Sequence, residues 1–156
     1  YTFSKWQGEE LCKLYEQIYG LDITICRFYN VYGDCMPTEG SYRTVLPIFL
    51  EQYRNNETFT ITGDGKQRRD FTHVDDIIDA MMKVVQLNKW GNVYELGRGK
   101  NYSIKQVVDM FPDPAWTYID MIPGEARDTL CRSELARKKL KWKPKVNLED
   151  WIKEQL

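Results

Sequence analysis

The sequence predicts an α/β fold built on a parallel sheet. Three observations carry that expectation. Leu11, Cys12, Leu14, Tyr15, Ile18 and Tyr19 recur at spacings of three and four, which marks Gly8–Tyr19 as an amphipathic helix. Asp22–Phe28 comes directly after it, short, β-branched and without a helical period, the pattern of a largely buried strand. A helix leading into a buried strand suits a parallel sheet with helices packed on it. The third is composition: 156 residues, 42% hydrophobic and 29% charged, suffice for one soluble domain with a real core.

The elements are set by local signals. The first helix runs from about Trp6 to Tyr19, and Gly20 stops it. After the strand, Asp34–Tyr42 is loop, marked by Pro37 and Gly40. Thr44–Asn55 is a second helix that tolerates Pro47 near its start. Phe59–Thr62 is a short strand ended by the tight turn Gly63-Asp64-Gly65. Asp70–His73 is extended and leads into a third helix, Val74–Leu87, whose apolar face is Ile77, Ile78, Met81, Met82, Val84 and Val85. Asn92–Leu96 is a strand, and Gly97 and Gly99 bracket the turn after it. Ser103 caps Ile104–Met110, Ser133 caps Glu134–Leu140 and Asn147 caps Leu148–Leu156. Thr117–Asp120 is one more short strand, and Pro123-Gly124 opens a loop.

Charge and cysteine usage narrow the function classes. A net charge of -1 gives no electrostatic reason for nucleic acid or an anionic membrane surface as partner. No apolar run approaches the ~18 residues of a membrane span. Cys12, Cys26, Cys35 and Cys131 are scattered, as expected of reduced thiols in a cytoplasmic protein. No metal site is expected, because His73 is the single histidine.

Tyr1 and Lys5 stand at the four-residue offset that puts two side chains on one helical face. An ammonium beside a phenol favours the ionised form, which makes a tyrosine usable as an acid or base. With ten tyrosines in the chain, roughly one such pair is expected by chance, so the pair needs support from the rest of the sequence.

That support comes from four further segments in chain order. Arg27-Phe28-Tyr29-Asn30-Val31-Tyr32-Gly33 leaves the first strand. Thr62 to Asp76, reading TGDGKQRRDFTHVDD, covers fifteen consecutive residues. Val93-Tyr94-Glu95-Leu96-Gly97-Arg98-Gly99 leads into Tyr102-Ser103-Ile104, and Leu140-Lys141-Trp142-Lys143-Pro144 comes near the end. With Tyr1-Thr2-Phe3-Ser4-Lys5, this succession resembles the C-terminal half of the extended short-chain dehydrogenase/reductases. These are the NAD-dependent nucleotide-sugar epimerases and dehydratases, with UDP-glucose 4-epimerase as the best-known type.

The resemblance implies a fold and a site. The fold is the C-terminal part of a Rossmann-type parallel sheet, to which residues 1–33 and about 91–97 belong, plus the small mixed α/β substrate-binding domain. Tyr1 is implied as the acid/base acting on a sugar hydroxyl, and Lys5 as binding the nicotinamide ribose and favouring the tyrosinate. Tyr29 is implied near the nicotinamide, Asn30 at the pyrophosphate, Leu46 at the nucleotide base or ribose, and Arg69 as the diphosphate clamp. An amide and a planar guanidinium both suit phosphate oxygens. On residue type alone, Asn30 equally suits a left-handed turn, and Arg69 equally suits a surface pair with Asp64 or Asp70. Asp70, His73, Asp75 and Asp76 are expected to be scaffold, tying the turn to the third helix.

One position departs from the family pattern. Ile122 stands where an arginine commonly contacts phosphate, and Arg127 is the nearby candidate to replace it. The dinucleotide fingerprint Gly-x-x-Gly-x-x-Gly is missing, as is the Ser/Thr that precedes the tyrosine. The N-terminal NAD-binding half, several βαβ units of ~30 residues each, is therefore expected to lie outside this chain. The chain alone is expected to have no turnover and to cover its exposed strand edge by self-association or strand exchange. By analogy a homodimer forms through helices that include Trp6–Tyr19. The parent activity remains open between a UDP-sugar epimerase and a dehydratase, decarboxylase or reductase of the same family. A non-enzymatic nucleotide-sugar-binding module is the reading from another class.

Overall fold

The computed structural model describes residues 1–40, 43–121 and 123–156. Tyr42, at the close of the expected loop, and Ile122 lie outside the described residues. The helix α1, Thr2–Tyr19, starts earlier than its apolar period suggests and ends at Gly20. Gly20 sits at φ 65 and donates its N–H to the Glu16 carbonyl at 3.0 Å. No residue of α1 is buried, so its stripe of Leu11, Leu14 and Ile18 faces outward. Its tie to the sheet is Glu9, which accepts from Arg27 Nε and Nη2 at 2.8 and 2.6 Å.

β1, Ile25–Phe28, pairs in parallel with β6, Val93–Leu96. The parallel sheet is as expected, but the long buried strand Asp22–Phe28 is corrected to four residues, of which Arg27 and Phe28 are exposed. The reason is local: among the described residues β1 has a partner on one edge only. β2, Val31–Tyr32, pairs in parallel with β5, Thr72–His73. β3, Phe59–Thr62, pairs in parallel with β8, Trp116–Ile119. β4, Arg68–Asp70, pairs antiparallel with β7, Asn101–Ser103. β3 alternates in the manner of a half-covered strand, with Phe59 and Ile61 buried and Thr60 and Thr62 less so.

Two apolar cores result. The first gathers Leu46, Phe49 and Leu50 of α2 (Val45–Arg54), Phe59 and Ile61 of β3, and Val107 of α4 (Ile104–Val108) around Leu148, Trp151 and Ile152 of α6 (Leu148–Gln155). Phe49, Phe59 and Phe111 meet in it, Phe49 edge-on to Phe59 with ring centroids 5.2 Å apart. The second sets Ile77, Ala80 and Val84 of α3 (Val74–Leu87) against Tyr94 and Leu96 of β6 and Ala136 of α5 (Leu135–Lys139), with Trp142 buried beside them.

Caps fix the helix starts. Ser103 and Gln106 form a reciprocal capping box on α4, and Asn147 Oδ1 accepts from the Glu149 N–H at 3.0 Å. His73 Nδ1 accepts from the Asp75 N–H at 3.2 Å, so His73 acts as the N-cap of α3. α4 ends at Val108, two residues before the expected Met110, because the chain tightens there through Met110 N–H to Val107 O and Phe111 N–H to Val108 O. Asp76 is buried and accepts from the backbone N–H groups of Lys145 and Val146 at 2.8 and 3.0 Å. Its carbonyl takes the Trp142 indole N–H at 2.8 Å.

Candidate active site

β4 builds the centre of the site by alternation. Asp70 points into the protein and is fully buried, while Arg69 beside it points to the other face. The Asp70 carboxylate accepts from the backbone N–H groups of Arg98, Gly99 and Cys131 at 2.9, 2.8 and 3.0 Å. Burial pushes its pKa up, and those three N–H groups pull against that. It thus pins two loops to β4. Gly97 is needed for this approach, since a Cβ there would lie 2.3 Å from Cys131 Cβ and 3.1 Å from Asp70 Oδ2.

Arg69 carries its guanidinium into the face opposite Asp70. Nη2 donates to Glu125 Oε1 at 2.7 Å, and Nη1 donates to the carbonyls of Ala126 and Arg68 at 2.6 and 2.9 Å. Asn30 takes φ 25 at the passage from β1 to β2. Its Nδ2 donates to Thr129 Oγ1 at 3.1 Å and to the Asp70 carbonyl at 3.3 Å. Asn30, Leu46 and Arg69, from three separate segments, line one cavity of about 190 Å³, with Phe71, Ile104 and Glu125 among its other walls. That is smaller than the roughly 300–1,000 Å³ of a complete small-molecule pocket, so it has room for only a portion of a large ligand. Its chemistry is a fixed guanidinium and an amide over an apolar floor, suited to an anionic group beside a flat ring.

The remaining expected residues lie elsewhere. Arg127 does not line this cavity. It grips Asp64 with both terminal nitrogens at 2.7 Å each, because the Gly63–Gly65 turn presents that carboxylate to it. The Arg127 guanidinium holds the Asp64 carboxyl well below the usual carboxylate range. Tyr1 and Lys5 occupy the first turn of α1, both exposed, with the Lys5 ammonium 5.4 Å from the Tyr1 ring centroid. Tyr29 is half-buried, and a Cβ at Gly97 would come 3.1 Å from its ring. Burial, aided by the Glu95 carboxylate, pushes its phenol up to about 12. Tyr29 is therefore a neutral packing and hydrogen-bonding group.

Two participants escape a sequence reading. Glu125 is the ionic partner of Arg69 across 56 residues, and Thr129 is the anchor of Asn30 across 99. No spacing rule connects such positions; the one signal is that Glu125 comes directly after a Pro-Gly turn. Among the described residues no group of His, Cys, Asp and Glu is placed to hold a metal ion.

The residues present suit one end of a dinucleotide. A phenol and an ammonium one turn apart can meet a ribose and its neighbouring ring, whereas the chain has no glycine-rich turn to cradle a pyrophosphate.

The chain is similar to known proteins over most of its length. Residues 1–97 match the NAD dependent epimerase/dehydratase family. The UDP-glucuronate 4-epimerase of Thermodesulfobacterium geofontis is 31% identical over 98% of this chain and 48% of its own length. The crystal structure of UDP-glucuronic acid 4-epimerase from Bacillus cereus, in complex with UDP-glucuronic acid and NAD, superposes with a TM-score of 0.89 at 27% identity. It covers 98% of this chain and 50% of that one. UDP-glucose 4-epimerase from Thermotoga maritima, with UDP-glucose, gives 0.89 at 29% identity, covering 96% of this chain and 50% of that one. The fold and the matched segments define an α/β protein of Rossmann type. The chain belongs to the NAD dependent epimerase/dehydratase family, and it spans about half the length of the curated relatives it matches.

Proposed function

We propose that this chain supplies the nucleotide-sugar-binding half and the acid/base tyrosine of an NAD-dependent nucleotide-sugar epimerase of the UDP-glucose 4-epimerase kind. The observation that carries it is the convergence of Asn30, Leu46 and Arg69 on one cavity, in a chain of this family. In this reading Arg69 exchanges Glu125 for a diphosphate oxygen, Asn30 turns its amide to the same group, and Leu46 supports the nucleoside. Tyr1 takes the proton of a sugar hydroxyl and returns it, and Lys5, one turn away, holds a ribose hydroxyl. Tyr29 packs beside the same ring system. NAD, when bound, supplies the reversible acceptance of hydride.

The division into residues 1–33 and 91–97 as sheet and the rest as substrate subdomain belongs to this proposal. So does a homodimer, supported by the uncovered apolar stripe of α1. A cytoplasmic location is supported by four unpaired thiols, and no helix of the described residues is long and apolar enough to cross a membrane.

Titration of the chain with UDP by calorimetry tests the binding half. Arg69→Ala removes charge-assisted contacts of about 1.5–3 kcal/mol, a loss of roughly tenfold to a hundredfold in affinity. UDP affinity unchanged in Arg69→Ala overturns the assignment. In a protein that joins this chain to a dinucleotide-binding half, UDP-glucose incubation distinguishes the reactions: UDP-galactose marks an epimerase and a keto sugar a dehydratase.

A further inference from the structure

A second cavity, of about 480 Å³, shares no lining residue with the cavity at Arg69. Its walls carry five cations: Arg98 and Lys100 from the turn after β6, Arg137 from α5, and Lys141 and Lys143 from the segment after it. Trp142 and Pro144 complete the lining, and no acidic side chain is part of it.

Several features make this more than a solvated basic face. The chain as a whole has a net charge of -1, so five cations in one concavity are a local segregation of charge. Among the described residues, Arg98, Lys100, Lys141 and Lys143 have no carboxylate at salt-bridge distance; Arg137 pairs with Glu134 at 2.8 Å. Each guanidinium is also oriented by a neutral carbonyl, which for Arg98 leaves the charge uncancelled. Arg98 Nη1 donates to Val146 O at 2.5 Å, and Arg137 Nη2 donates to Arg98 O at 2.6 Å. The backbone makes room for this: a Cβ at Gly99 would lie 2.7 Å from Arg137 Nη2. Positioned guanidinium forks beside ammonium groups are what phosphate recognition uses.

We propose that this cavity binds a small polyanion with two or more linked phosphate groups. A single monoanion would meet only part of a ring of cations drawn from three segments, whereas a phosphate chain spans it. The volume, within the roughly 300–1,000 Å³ of small-molecule sites, favours a compact ligand over an extended polymer. The same chemistry comes from a free oligophosphate or from the tail of a nucleoside polyphosphate.

Inorganic tripolyphosphate, titrated into the full 156-residue chain by calorimetry at constant ionic strength, is the test. With excess UDP present to fill the cavity at Arg69, one equivalent binds, and sodium sulfate at matched ionic strength does not displace it. Lys100→Glu with Lys143→Glu, both exposed positions, weakens binding by about tenfold or more, while Arg69→Ala leaves it unchanged. That pattern separates this site from the cavity at Arg69, so either assignment can fail alone. ATP binding with the same sensitivity to the double variant makes the nucleotide tail a source; its failure to bind assigns the site to the free chain. Displacement by sulfate, loss of binding in Arg69→Ala, or an unaffected double variant overturns the proposal. Tighter binding of a single-stranded DNA 12-mer than of tripolyphosphate at equal phosphate concentration also overturns it, in favour of a polymer surface.

Discussion

Tyr29 shows how a phenol is kept un-ionised by its surroundings. Its phenol is withdrawn from water, and the Glu95 carboxylate adds to the cost of ionising it. The folded-state value of about 12 exceeds the ordinary value of about 10. A group raised in this way contributes stability that is fully present below about pH 10 and is lost as pH rises through 12. Burial pushes the Tyr32 and Tyr94 phenols in the same direction, so the whole protein loses stability in strong alkali. Tyr29→Phe removes one of these ionisations. Its urea midpoint, tracked by circular dichroism from pH 9 to 12, falls less steeply than that of the parent chain. Parallel curves would show that Tyr29 is not among the groups responsible.

Among the elements, α1 and β1 carry the strain of an uncovered surface. The α1 stripe obeys the helical period, yet Leu14 and Ile18 are 46% and 60% exposed, and β1 is paired on one edge. Burying such a side chain contributes about 1.5–3 kcal/mol, which a second copy of the chain can supply. Sedimentation of the chain at rising concentration therefore gives a mass moving from 18.5 kDa toward twice that value. Leu14→Glu with Ile18→Glu restores the single mass; dimerisation that survives both changes would place the contact elsewhere. The same elements show what the sequence disclosed. Periodicity located α1 and α3, and the caps Ser103 and Asn147 located α4 and α6, because one side chain meets one nearby N–H. Burial of α1 was not legible, since an amphipathic pattern states which face seeks cover without stating whether cover is present. β2, β4 and β7 are two or three residues long, too short for alternation to show. Asn30, Leu46 and Arg69, which line one cavity, were candidates through resemblance and not through their own spacing, and Arg127 lies outside that cavity, paired with Asp64.

On the scale of the whole molecule, two cores must move as one for the cavity at Arg69 to keep its shape, and Asp76 is where they are joined. It sits in the first turn of α3 against the second core, yet its carboxylate holds the backbone N–H groups of Lys145 and Val146 at the entry to α6. Val146 in turn receives the Tyr32 hydroxyl at 3.4 Å and the Arg98 guanidinium, and Tyr32 and α6 belong to the first core. The strap at 145–147 thus connects the cores, with Asp76 holding its backbone N–H groups. Asp76→Ala leaves two N–H groups without their partner in a partly buried setting, a cost of about 1–3 kcal/mol in all, a sizeable share of the ~5–15 kcal/mol that stabilises a typical domain. The loss should not be uniform. α3 keeps Ile77, Ala80 and Val84 against Tyr94 and Leu96, while α6 loses the anchor of its N-terminus. Amide hydrogen exchange therefore rises first in 145–155 and only later in 77–87, with urea unfolding broadening into two steps. A single transition with equal loss of protection in both helices would mean that the cores are fused by their other contacts and that Asp76 serves α3 alone.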